Sequence, residues 1–149
     1  MVRTLLLTVH VAGVAAWLGA NFVQLVATRR LAATSTEVAV AWNDTTRWLG
    51  QRYYIAAGAV IAITGVLLVL DGDWSWSAGF VAVGITVVVV GGALGGLVFS
   101  PLGARRTEAL ERGDDDDARR VLDRITVFAV FDTLLVLTAV LAMIDKWRA

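Results

Sequence analysis

An all-α bundle of four membrane-spanning helices is the fold class this sequence predicts, and three observations carry that expectation. Four apolar runs approach the ~20 residues that a helix needs to cross a hydrocarbon core of ~30 Å. The charged residues gather between those runs. The first run carries polar side chains at helical spacing, which lipid cannot satisfy and neighbouring helices can. Composition agrees: 58% of the 149 residues are hydrophobic and mean hydropathy is +0.72, against roughly half apolar in an ordinary soluble domain.

The first run, residues 5–27, sets the polar stripe. His10, Gly13, Trp17, Asn21, Gln24 and Thr28 recur in steps of three and four and so share one helix face, while Leu6, Ala12, Ala16 and Val23 lie elsewhere around it. A secretory leader is the competing reading, since Arg3 precedes the run and Leu18-Gly19-Ala20 ends in a small residue. The run continues past that point and His10 interrupts it, unlike a short uniform leader core. Arg29 and Arg30 end it. In the connection 28–52, Thr34 and Glu37 have the offset of a capping box and predict a helix running toward the second run.

The second run, 53–70, stops at Asp71-Gly72-Asp73, and the third, 79–99, begins a few residues later. The short link holds Trp74 and Trp76 and predicts a tight antiparallel hairpin with indoles at headgroup level. Pro101 predicts an end to the third helix. In the connection 100–124, Gly113-Asp114 reads as the end of one short helix and the start of another that continues into the fourth run, 125–144. Asp114, Asp115, Asp116 and Asp117 then lie at a positive helix N-terminus, as a solvated start.

Arginine counts give an orientation. Arg29, Arg30, Arg47 and Arg52 lie in the first connection and Arg105, Arg106, Arg112, Arg119, Arg120 and Arg124 in the third, against Arg3, Lys146 and Arg148 on the other side. By the positive-inside rule both connections are cytoplasmic and both termini outside, in a multi-pass protein of the cytoplasmic (inner) membrane. Trp42, Trp48, Tyr53 and Tyr54 read as an inner aromatic belt and Trp147 as part of the outer one.

The formal net charge is +0 and no basic groove is apparent, so nucleic acid is not an expected partner. The absence of cysteine excludes disulfides and thiolate chemistry, and a single histidine excludes an ordinary zinc site. No nucleophile–base pair marks hydrolysis. The chain is therefore expected to be non-catalytic.

Three groups of residues could still carry function. His10 lies roughly 8 Å inside the first helix, where its imidazole either bonds a neighbouring helix or ligates haem b, with Trp17 at the ring edge and Met143 as opposite ligand. Asp132 is the lone acid inside a run. Its depth, roughly 10 Å, is close to that of Asn21, roughly 9 Å; a tie between these two, with Gln24 on the same stripe, predicts a buried polar network, and a proton or solute path is the functional alternative. Depth also separates His10 from Asp132. Gly84, Gly91, Gly92, Gly95 and Gly96 include two small-xxx-small pairs, expected to pack within the bundle or across a dimer, with Thr64-Gly65 as a counterpart.

The run His10-Val-Ala-Gly-Val-Ala-Ala-Trp17-Leu-Gly19, with Thr64-Gly65, Pro101-Leu-Gly, and Phe131-Asp132 through Met143 and Lys146, resembles an uncharacterised family of small integral membrane proteins. That family is distantly similar to the copper-resistance D and HemJ-type protoporphyrinogen oxidase group. The resemblance spans nearly the whole chain and implies a four-helix bundle whose first-helix histidine, His10, is associated with haem. Three functions are then expected in order: a homo-oligomer or accessory subunit of a membrane complex, a haem-binding redox protein using His10, and a proton or small-solute path using Asp132 and Asn21.

Overall fold

The computed structural model describes residues 1–145 and is all-helical, with no strand among them. The outer-face readings of Lys146, Trp147 and Arg148 fall outside the described residues. Four helices are long and apolar enough to cross a membrane: α1 (Val2–Ala32), α2 (Thr36–Asp71), α3 (Gly79–Glu111) and α4 (Asp115–Asp145). They run up and down. The α2–α3 hairpin lies at the same end as residue 1 and residue 145, and the two arginine-rich connections lie at the other, the basic end.

Each helix outlasts its apolar run, at 31 to 36 residues. α2 begins one residue later than the capping box predicts: Ser35 is the N-cap, its Oγ accepting Val38 N–H at 3.3 Å, while the Thr34 hydroxyl donates back to Arg30 O. Thr34 still belongs to the turn that ends α1, where its own N–H is held by Leu31 O. Glu37 remains in the first turn of α2, where the helix dipole favours it.

Pro101 does not end α3. A π turn over Gly95–Phe99 precedes it, in which Ser100 N–H reaches back five residues to Gly95 O. Pro101 therefore falls in the first turn of the resumed α-helix Ser100–Glu111, where its missing N–H is tolerated. A second π turn, Gly50–Tyr54, lies within α2.

The hairpin is tight as expected. Asp73 takes a positive φ of 51°, and the Trp74 indole lies over Gly72, where an added Cβ would come within 2.5 Å of the ring. Trp74 also meets Phe80 edge-on at 5.3 Å. At the basic end, Gly113 at φ 69° closes α3 in a Schellman motif, with Asp114 N–H on Ala109 O and Gly113 N–H on Leu110 O. Asp114 then caps α4 by accepting Asp117 N–H at 3.0 Å.

Three cores hold these elements, one of them Val69, Ala78 and Val81 under the hairpin. Trp17, Ile61, Val87, Val136 and Ala139 pack in the middle of the bundle, and Ala39, Ala109, Leu110 and Ala118 pack between the helix extensions at the basic end. Asp117 is not part of a solvated start: it is buried and takes Arg105 through both carboxylate oxygens, at 2.9 and 3.3 Å, and Arg120 at 3.3 Å. The Arg105 hydrogen bond holds the Asp117 carboxyl below the usual carboxylate range, and the same contact raises the Arg105 guanidinium. Outside, large apolar side chains such as Leu5, Phe22, Val26, Leu97 and Ile144 are exposed around the bundle.

Candidate functional site

The polar face of α1 turns inward as its spacing requires. His10, Gly13, Trp17 and Asn21 are the buried residues of that helix, and Gln24 and Thr28 continue the face half-buried. Toward the hairpin end, His10 Nδ1 lies 2.9 Å from Thr64 Oγ1. The Thr64 hydroxyl already donates to Val60 O, so the imidazole N–H is the donor and Nε2 keeps its lone pair. Gly65 makes room for the ring: a Cβ there would stand 3.3 Å from His10 Cε1. Thr64-Gly65 thus receives α1, and is not the counterpart of the α3 glycines.

One helix turn pair further in, Trp17 occupies a slot between two glycines. A Cβ at Gly58 would sit 3.1 Å from Trp17 Cζ3, and one at Gly91 would sit 2.9 Å from Cζ2. The indole is held edge-on to Tyr54 at 5.4 Å and its Nε1–H donates to Asp132 Oδ2 at 3.0 Å. Asn21 Nδ2 donates to that same oxygen at 2.8 Å and to Thr133 Oγ1 at 3.2 Å. The expected tie between Asn21 and Asp132 is present. Tyr54 extends it, its hydroxyl donating to Asn21 Oδ1 at 2.6 Å while accepting from Gln24 Nε2 at 2.7 Å. Tyr54 is therefore a network residue rather than a belt aromatic, and Tyr53 also turns inward, donating to Ala16 O at 2.9 Å.

This network forms one wall of a chamber of about 510 Å³ that opens between the helices toward the basic end. Its size lies in the range of sites for small organic molecules. Trp17, Asn21, Gln24, Tyr54 and Asp132 give its polar wall, and Leu25, Ile55, Val88, Phe99 and Ile125 are among its apolar ones. Asp132 is 4% exposed. Its Oδ2 accepts two bonds and its Oδ1 has none, although Oδ1 lies beside Gly91, 3.3 Å from where a Cβ would be. In either protonation state that oxygen lacks a partner: ionised, it is an acceptor without a donor; protonated, an O–H without an acceptor. Leaving such a group alone costs about 1–3 kcal/mol.

Glycine makes the opposite wall. Gly91 packs on Trp17 and Gly84 on Met143, whose Cε would be 3.0 Å from a Cβ. Gly92, Gly95 and Gly96 do not pack as expected within the chain; they border the chamber, and a Cβ at any of them would meet nothing within 4 Å. Both π turns face this space, contributing Gly50, Gln51 and Tyr54 from α2 and Gly95, Gly96 and Phe99 from α3.

At the basic end the chamber is bordered by Asn43 and Arg47. Asn43 is buried and donates to Gly103 O at 2.8 Å and to Thr107 Oγ1 at 2.7 Å, while its Oδ1 accepts Arg106 Nη1 at 3.3 Å. Arg106, 3% exposed, belongs to no ion pair among the described residues, and its Nε and that of Arg47 are buried without partners. Burial pulls the Arg106 guanidinium below its usual value.

The geometry does not fit haem at His10. The imidazole lines neither the chamber nor the smaller cavity of about 30 Å³ that Met143 borders, a space close to the volume of one water. His10, Trp17 and Met143 are not brought around a common space. Among the described residues no cluster of three His, Cys, Asp or Glu could hold a metal ion. The network and chamber roles that sequence reasoning missed are those of Tyr54, Thr133, Asn43, Arg47 and Arg106; of these, Tyr54 gave a signal, as a phenol in the first turn of an apolar run that also carries glycines at 58 and 65. No protein family, curated protein or solved structure matches this chain.

Proposed function

We propose that this chain is a multi-pass protein of the cytoplasmic membrane, termini outside, that holds a small amphiphilic molecule in the chamber between its helices without transforming it. The apolar exterior and four membrane-length helices support the setting, and the arginine distribution supports the orientation. The observation that carries the function is the chamber itself, about 510 Å³ between the helices, with Asp132 and its hydrogen-bonded network among the lining residues. A ligand with an apolar body and a hydrogen-bonding group would fill a space walled by glycine and aliphatic side chains and meet the polar wall of Asn21, Gln24 and Tyr54.

Holding is favoured over proton conduction by the chemistry of the network. The chain of bonds from Gln24 through Tyr54 to Asn21 and Asp132 passes through two carboxamides, which donate and accept but exchange protons poorly. Such a network fixes Asp132 in place. An accessory role in a larger membrane complex is compatible with a resident ligand of this kind.

Native mass spectrometry of the full chain released from mild detergent tests the proposal. Wild type carries a bound small-molecule mass, and Asp132→Leu, which keeps the volume and removes the hydrogen-bonding oxygens, loses it. The same bound masses at the same occupancy on both proteins would refute the assignment.

A further inference from the structure

The chamber is bounded at both ends and open on one side. Toward the hairpin, the Trp17 indole fills the space between Gly58 on α2 and Gly91 on α3 and forms a floor. At the basic end, Asn43 on α2 donates to Gly103 O and Thr107 Oγ1 on α3, and the Arg47 stem lies against Gly103. α2 and α3 pack on each other at the hairpin and again between Thr36–Leu49 and Ser100–Glu111, but no comparable packing joins them across the two π turns. From Asn43 to Gly58 is roughly 22 Å of helix, and from Gly91 to Gly103 roughly 18 Å.

Among the described residues, the exposed members of the chamber lining all fall in that interval: Gly50, Gln51 and Ile55 from α2, and Gly92, Gly95, Gly96 and Ser100 from α3. Every lining residue from α1 and α4 is buried or half-buried, as are Asn43, Thr46, Arg47 and Gly103 at the basic end. The opening is a window in the side of the bundle. No side chain bars it at Gly92, Gly95 or Gly96, where even a Cβ would meet nothing within 4 Å.

The apolar runs 53–70 and 79–99 set the level of this window. Ile55, Gly92, Gly95 and Gly96 lie inside them, at hydrocarbon depth, while Gly50, Gln51 and Ser100 lie just past their basic edge, at headgroup depth. A solute arriving from water at the basic end meets the Asn43–Gly103 tie, whereas a molecule in the bilayer meets only glycine and Ile55. Behind the window stand Asn21, Gln24 and Tyr54, groups that offer hydrogen bonds without a charge. A charged headgroup drawn in to them would lose its water at a cost of several kcal/mol; a hydroxyl or carbonyl would exchange one set of hydrogen bonds for another.

We propose that the chamber is loaded sideways from the basic-side leaflet, through the window between α2 and α3, by a long-chain amphiphile with an uncharged polar head. This rests on the reading of the chamber as a ligand site and names the class of ligand and its route. A helix of a second copy laid over the window would cover the glycines yet leave the space behind them empty down to Trp17, forfeiting the contacts that an entering chain makes.

Photolabelling of the full chain in dioleoylphosphatidylcholine vesicles tests this, with two probes bearing the same diazirine: a hexadecanol, and a short-chain alcohol that stays in water. Labelled positions are mapped by mass spectrometry. Hexadecanol is expected to mark the outside of the bundle, at exposed residues such as Phe22 and Leu97, and also the chamber wall around Trp17 and Tyr54. The short alcohol is expected to leave the chamber wall unmarked. Gly95→Leu narrows the window from α3 and Ile55→Trp narrows it from α2; each should lose the chamber adducts and keep the outer ones, which serve as the internal standard. Neither change threatens folding, since a Cβ at Gly95 meets nothing and Ile55 is 67% exposed. Hexadecanol adducts confined to the outside, or chamber adducts undiminished in both variants, would overturn lateral loading. Equal chamber labelling by the two probes would also overturn it, while leaving the chamber as a site filled from water. The chain has no cysteine, so disulfide-linked dimers of Gly96→Cys would place a second copy over the window and overturn it as well. The chamber reading itself is decided separately, by the mass bound to wild type and to Asp132→Leu.

Discussion

Gly91→Ala and Gly92→Ala differ by one position in sequence and should differ sharply in effect. At Gly91 the new methyl would lie 2.9 and 3.2 Å from Trp17 Cζ2 and Cη2, and 3.3 Å from Asp132 Oδ1. The indole has little room to withdraw, because it lies close over Gly58 on the opposite side, where an added Cβ would stand 3.1 Å from Cζ3, and its Nε1–H is committed to Asp132. At Gly92 nothing lies within 4 Å. Both substitutions gain the same helix propensity, about 1 kcal/mol over glycine, so propensity cancels in the comparison. What remains is overpacking, about 1–3 kcal/mol. Thermal melting of the two variants in the same detergent should place Gly91→Ala below Gly92→Ala by that difference, with Gly92→Ala at or above wild type. Equal melting temperatures would mean that Trp17 is not confined between α2 and α3, and the positioning of Asp132 argued here would fail with it.

Thr64→Val keeps the shape of the side chain and removes the oxygen that His10 bonds at 2.9 Å. It should lower stability by about 1–3 kcal/mol by stranding the imidazole N–H, read by the same melts; no loss would contradict the bond. Asp117 predicts a pH dependence. Its folded carboxyl is held below the usual range by Arg105, so its contribution is present above the ordinary carboxylate pKa, about 4, and is lost as pH falls through the lower folded value. Asp117→Asn should therefore melt below wild type at neutral pH, with the gap closing only below about pH 4 and narrowing in high salt, since the Arg105 side chain is exposed. A gap that is constant with pH would refute the pairing.

The four helices were legible because lipid-scale apolar runs and helical spacing are one-dimensional signals. The stripe on α1 followed the same logic: a period of 3.6 put His10, Gly13, Trp17 and Asn21 on one face, and burial selected that face. The Asn21–Asp132 tie was legible from depth alone, because helices that cross one slab share a coordinate. Partner choice across helices was not. Thr64 and Gly65 could face α1 or α3, and only the rotation of α2 decides between them. The α3 glycines illustrate a deeper limit, since the same absence of a side chain serves contact at Gly91 and open space at Gly95 and Gly96. Pro101 misled because a π turn depends on the surrounding packing as well as the local sequence. Arg106 looked like a topology signal, as most arginines at a membrane edge do; its burial without an ion pair among the described residues distinguishes it, and sequence cannot report that.

Several costs converge on one space. The unsatisfied Asp132 oxygen, the unpaired Arg106 guanidinium and two π turns each work against stability, and all of them lie on or directly behind the chamber wall. Elsewhere the chain follows the rules of a stable bundle: a serine cap on α2, a Schellman close on α3, an aspartate cap on α4, and an intrahelical acceptor for most exposed threonine hydroxyls. If the chamber were only a packing defect, leucine at Gly92 or Gly95 would fill part of it and stabilise, since nothing lies within 4 Å of a Cβ at either position. Costs that are cheaply removable and yet confined to a single place are better explained by a bound partner that repays them than by chance. If the chamber holds the ligand proposed above, the ligand-free chain is the less stable form, and saturating ligand should raise its melting temperature.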